Sequence, residues 1–121
     1  MTKAKDIVDR YLAIWNETDP ARRRALMADL WAADARYADP VMQADGRDGI
    51  ETMIAAAQAR FPGHVFCALG EPEAHDGGMR FRWTLAPKDG PTIVEGTDFA
   101  VAGADGRLVS VAGFFDRLPS Q

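Results

Sequence analysis

The chain has 121 residues, of which 47% are hydrophobic and 26% charged, and its formal net charge is −4. That is the size and make-up of one globular domain, able to bury roughly two-thirds of its unfolded surface without a disulfide or a metal as a staple. A weakly acidic balance leaves no electrostatic footprint for nucleic acid or an anionic membrane, so neither is expected as a partner.

The opening Met1-Thr2-Lys3-Ala4-Lys5-Asp6 has no apolar stretch that could serve as a signal peptide, and the expected location is cytoplasmic. Ile7, Val8, Tyr11, Leu12 and Trp15 then recur at helical spacing, which predicts a first helix over about residues 3–17. Asp19 is a good cap for a second helix, and Pro20 suits its first position. Leu26, Met27 and Leu30 carry that helix to about Trp31, and the basic run Arg22-Arg23-Arg24 reads as its solvated face. Ala35-Arg36-Tyr37-Ala38 is a short strand. Asp39-Pro40 cuts it, because a residue before proline is pushed out of helical geometry. Asp48-Gly49-Ile50-Glu51 has the form of a capping box, with Asp48 as cap and Glu51 three residues on. Ile50, Met53, Ile54 and Ala57 form the apolar stripe of a third helix, which Phe61-Pro62-Gly63 stops.

The second half reads as a meander of strands. The first runs from His64 to about Glu73 and contains Cys67, the only cysteine, whose neighbours Phe66 and Leu69 predict a buried core thiol. After the turn Asp76-Gly77-Gly78, Phe81, Trp83 and Leu85 alternate with Arg80, Arg82 and Thr84 as far as about Ala86. Lys88-Asp89-Gly90-Pro91 turns into a strand from Thr92 to about Ala102. Gly103-Ala104-Asp105-Gly106 turns into the last, from Arg107 to about Arg117. Helices first and strands last predict one α+β domain over residues 1–121, with the helices on one face of a strongly curved antiparallel sheet. Phe99 and Val101 remain on the other face, and a homodimer through that face is expected.

Asp98 is the most informative position. Its strand places Val94, Gly96, Asp98, Ala100 and Ala102 on one face, so a carboxyl group stands among small apolar neighbours. Small residues leave space there. Desolvation predicts a raised pKa and a protonated acid, although Asp98 could equally cap a loop or accept bonds from the helix layer. Asp39 is either a general base at a cavity rim or a turn-former. Tyr11 is either a core residue with one hydrogen bond or a donor into the cavity. Trp15, Trp83 and Phe114 are expected to line the same cavity, with His64 at its mouth. Neither His64 nor His75 has a metal partner at recognisable spacing. The chain lacks a Gly-rich phosphate loop, His-Glu-x-x-His, Gly-x-Ser-x-Gly and Cys-x-x-Cys. No metal and no cofactor is therefore expected, and the expected partner is an apolar small molecule.

Two helices, a short strand with Asp-Pro, a third helix and a meander ending in Asp105-Gly106-Arg107-Leu108-Val109-Ser110 and Gly113-Phe114-Phe115-Asp116 resemble the nuclear transport factor 2-like superfamily. Within it the chain is most similar to the SnoaL-like domains, over about residues 5–118. The resemblance implies a cone-shaped α+β barrel with an interior cavity and dimerisation through the sheet. It extends to ketosteroid isomerase at three places. Asp39-Pro40-Val41 matches the segment of that enzyme's base, Arg10-Tyr11 the context of its oxyanion tyrosine, and Asp98 the position of its protonated acid. A further tyrosine on the third helix of the isomerase has no counterpart, since the aligned position is near Ile54. By this resemblance Asp39 moves a proton beside a carbonyl or in a polyketide-like ring, while Tyr11 and protonated Asp98 hold the developing oxyanion. The alternative is a non-catalytic pocket or dimerisation module that binds an apolar ligand.

Overall fold

A computed structural model describes residues 3–118. The elements are α1 (Lys3–Asn16), α2 (Pro20–Leu30), β1 (Trp31–Ala38), β2 (Gln43–Asp45), α3 (Gly46–Arg60), β3 (His64–His75), β4 (Gly78–Pro87), β5 (Val94–Ala102) and β6 (Leu108–Arg117). On α1, Ile7, Val8, Tyr11, Leu12, Ile14 and Trp15 are buried. Fully burying an apolar side chain of this kind is worth about 1.5–3 kcal/mol, which is what holds so short a helix in place. Asp19 caps α2 as predicted, its carboxylate accepting from the Arg22 backbone N–H at 2.9 Å.

Two expectations for the helices are corrected. The third helix starts at Gly46, ahead of Asp48, and the residue before it, Asp45, makes no side-chain capping bond. Glu51 does not reach back to a helix start; its carboxylate accepts from Arg23 Nη1 at 2.5 Å. Arg23 is accordingly not solvated with its neighbours but only 2% exposed. It also donates to Gln58 Oε1 at 2.7 Å and, through Nε, to the Glu17 carbonyl at 3.0 Å. Each of the three guanidinium nitrogens finds an acceptor, which is the condition for burying the group. The fork thereby ties α2 to α3 and to the end of α1.

The strands form one sheet in the order β2-β1-β6-β5-β4-β3. It is mixed, because β1 and β6 run parallel while the other neighbouring pairs are antiparallel. The sheet is curved and stays open, with β2 and β3 at its edges, in a cone-shaped α+β architecture. Register shifts in β3 and between β5 and β6 supply local bends. The inner face carries Phe81, Trp83 and Leu85 of β4, with Val94, Ala100, Leu108 and Val111 beside them, against Ile14, Met27, Trp31, Ile50 and Ile54. Cys67 is exposed rather than buried. Phe66 turns inward to Trp15 and Trp83, at ring-centroid distances of 5.3 and 5.6 Å, so strand alternation sends the next residue out. Among the described residues no helix is long and apolar enough to cross a membrane.

Candidate active site

β1 delivers two polar groups to the concave side. Tyr37 and Asp39 are two residues apart in extended chain and so share a face. The Tyr37 hydroxyl donates to Asp39 Oδ2 at 2.7 Å. Asp39 Oδ1 accepts from the backbone N–H groups of Val41 and Met42, at 2.9 and 2.8 Å. Its turn-forming reading is thus met, and the same side chain has a place on a cavity wall.

β5 delivers the second acid. Val94, Gly96, Asp98 and Ala100 are buried along its inner face, and Asp98 is 3% exposed. Its Oδ2 accepts from the Tyr11 hydroxyl at 2.8 Å and its Oδ1 from Trp83 Nε1 at 2.9 Å. Burial pushes the Asp98 carboxyl up, and the negative charges of Asp39 and Asp116 add to that. The bonds from Trp83 and Tyr11 oppose the rise and hold the pKa at about 6. The direction is the expected one, but the ionised form predominates at pH 7. Burial first, and Asp98 second, hold the Tyr11 phenol well above its ordinary range. Burial likewise raises Tyr37, again with Asp98 contributing.

Glycines make this convergence possible. A Cβ on Gly113 of β6 would lie 2.8 Å from Asp98 Oδ1, 3.3 Å from Asp39 Cβ and 3.4 Å from the Tyr37 hydroxyl. Groups that crowd one point so closely lie within about 6 Å of one another, the range over which a neighbouring charge shifts a carboxyl pKa. On β5, a Cβ at Gly96 would overlap the Trp83 ring. The indole therefore lies against bare backbone, which aims its N–H at Asp98.

The cavity between these groups has a volume of about 280 Å³, the liquid volume of about nine waters at about 30 Å³ each. Tyr11, Tyr37, Asp39 and Asp98 line it, with aromatic walls from Trp15, Phe66, Trp83 and Phe115. Exposed Val41, Arg60 and Leu118 mark its mouth. Five of the residues singled out in the sequence, Tyr11, Trp15, Asp39, Trp83 and Asp98, thus meet at one place. Two do not. Phe114 is 58% exposed on the outer face, because Gly113 faces inward and alternation gives the cavity to Phe115 instead. His64 starts β3 with Nδ1 3.0 Å from the Pro62 carbonyl and its ring edge-on to Phe61, outside the cavity lining. Tyr37 was not anticipated, although its place two residues before Asp39 in a strand was a sufficient signal. Among the described residues no group of three or more His, Cys, Asp or Glu side chains is arranged to hold a metal ion.

A profile of the SnoaL-like domain matches residues 8–111. A candidate isomerase of the SnoaL-like family from Agrobacterium tumefaciens is 44% identical, with 96% of this chain and 99% of that one covered at a TM-score of 0.93. A candidate polyketide cyclase from Sinorhizobium meliloti shares the fold at 19% identity, with 89% and 93% of the two chains covered and a TM-score of 0.70. A protein with a ketosteroid isomerase-like fold from Catenulispora acidiphila, in complex with trimethylamine, does so at 20% identity, with 88% and 82% covered and a TM-score of 0.72. No curated protein matches the chain.

Proposed function

This chain belongs to the SnoaL-like domain family, and we propose that it is an isomerase- or cyclase-type enzyme that moves a proton beside the carbonyl group of a small apolar substrate. The observation that carries this reading is the convergence of two carboxyl groups and two phenols on one aromatic-walled cavity. Asp39 is the base. It takes a proton from the carbon next to the carbonyl, and the electrons of that C–H bond pass into the enolate, whose oxygen takes the charge. Reprotonation by Asp39 at a different carbon completes an isomerisation. Tyr11 and neutral Asp98 serve the oxygen. With a proton on Oδ2, Asp98 donates to the Tyr11 oxygen, and the Tyr11 hydroxyl is then free to donate into the cavity. Tyr37, bonded to Asp39, positions the base.

The test is hydrogen–deuterium exchange of small enolisable ketones in D₂O, followed by NMR. Exchange faster than buffer alone, lost in Asp39→Asn and slowed at least tenfold in Tyr11→Phe, supports the enzyme. A second reading has its own observation: each oxygen of both acids already accepts a bond from a protein donor. That is how a passive binding pocket would satisfy its polar groups. Ligand binding with no exchange above buffer would select it. Under either reading the chain works as a homodimer, joined through the outer sheet face where Phe99, Val109 and Phe114 stand exposed.

A further inference from the structure

The cavity is polar in two separate places. At its buried end the Tyr11 hydroxyl donates to the Asp98 carboxylate at 2.8 Å, and both groups line the cavity. That is where the proposed function places the ligand's carbonyl group. The other polar place is the mouth. Among the described residues lining the cavity Arg60 is the only cation. It sits in the last turn of α3 and is exposed. The positions one turn back on that helix, Ala56 and Ala57, offer it no acid at i−3 or i−4. Val41 and Leu118, the other exposed residues assigned to the mouth, are apolar.

From these two places we propose that the ligand is a small aromatic or alicyclic oxo acid. Its carbonyl oxygen lies at the buried end, beside Tyr11 and Asp98, and its carboxylate reaches out to the Arg60 guanidinium at the mouth. This rests on the proposed function, since it names the substrate class of the same cavity. The volume agrees with it: about 280 Å³ is near the lower end of ligand cavities, which run from roughly 300 to 1,000 Å³, and suits one or two rings. An apolar body fits the aromatic walls. A guanidinium donates two parallel N–H bonds to a carboxylate, which fixes the ligand's direction in the cavity.

The experiment is calorimetric titration with β-benzoylpropionate and with its amide, which has the same shape without the charge. The intact protein should bind the acid about fivefold more tightly than the amide, the scale of one exposed ion pair. Arg60→Gln should bring the two affinities together without weakening the amide. Equal affinities in the intact protein, or a preference that survives Arg60→Gln, would overturn the mouth anchor while leaving the cavity reading intact. Failure of both ligands to bind at millimolar concentration would remove the cavity reading and this proposal together.

Discussion

Asp98 couples the site to stability. Its pKa rises from 3.8 to about 6 in the folded protein, so the native state holds this proton more tightly than the unfolded chain does. Stability from this group is full below pH 3.8 and is lost as pH rises through about 6. The shift of about two units corresponds to about 3 kcal/mol. Asp98→Asn removes the ionisation, and its amide can still meet Tyr11 and Trp83. Its melting temperature should therefore exceed that of the parent at pH 8 by more than it does at pH 4, which scanning calorimetry at the two pH values will measure. If Asp98 serves as a neutral acid, kcat/KM for proton exchange should fall as pH rises above about 6, and this fall should vanish in Asp98→Asn. Gly96 tests the indole bond in another way. Gly96→Ala must displace the Trp83 ring, and the site then loses a donor that lowers the Asp98 pKa. The carboxyl titration of Asp98, followed by NMR, should move upward in that variant. At this scale the sequence was legible wherever alternation alone decided the matter, as it did for Asp98 among Val94, Gly96 and Ala100. Alternation could not supply the donors to Asp98: Tyr11 lies 87 residues away, and only the family resemblance put the two together, while the bond from Trp83 had no signal at all.

Among the elements, β6 shows where alternation misleads. Val101 pairs with Ser110 but Ala102 pairs with Leu108, so Val109 is an extra residue at a bulge. From there Val111, Gly113 and Phe115 face inward, and Phe114 does not. A parity count begun at the wrong end of the strand gives the opposite answer. β2 was missed for a simpler reason: its three residues are too few to show a period. The helices were legible because their apolar stripes are long, and the start of α3 was not, because an Asp-x-x-Glu pattern can occur with Glu51 committed elsewhere. That commitment yields a prediction. Removing one partner of a buried ion pair typically costs about 3–5 kcal/mol, because the other charge is left uncompensated. Glu51→Ala should therefore lower stability by about 3 kcal/mol, while Arg24→Ala, one residue along on the exposed side of α2, should change it by less than about 0.5 kcal/mol. Urea denaturation of both variants will check the contrast.

On the scale of the whole molecule, the order of elements announced α+β, while the mixed character of the sheet had no local signature. It comes from pairing β1 with β6, and no short stretch of sequence encodes which distant strand becomes a neighbour. The outer face gives the prediction that belongs to this scale. Phe99 and Phe114 are 45% and 58% exposed and stand on adjacent strands, β5 and β6. Sedimentation should find a dimer at micromolar concentration, and Phe99→Lys with Phe114→Lys should convert it to a folded monomer; a parent that sediments as a monomer would refute the interface. The parallel contact between β1 and β6 also governs the order in which the molecule can assemble. β1 is made before the other strands of the sheet and its partner β6 after all of them, so Trp31 and Tyr37 wait through the synthesis of every strand between without their pairing neighbours Leu108 and Val111. Contacts this distant in sequence carry a large loop-closure cost before they give any return, which slows folding. A nascent chain stalled before Leu108 should accordingly remain protease-sensitive along its whole length, and acquire resistance in a single step once β6 has cleared the exit tunnel.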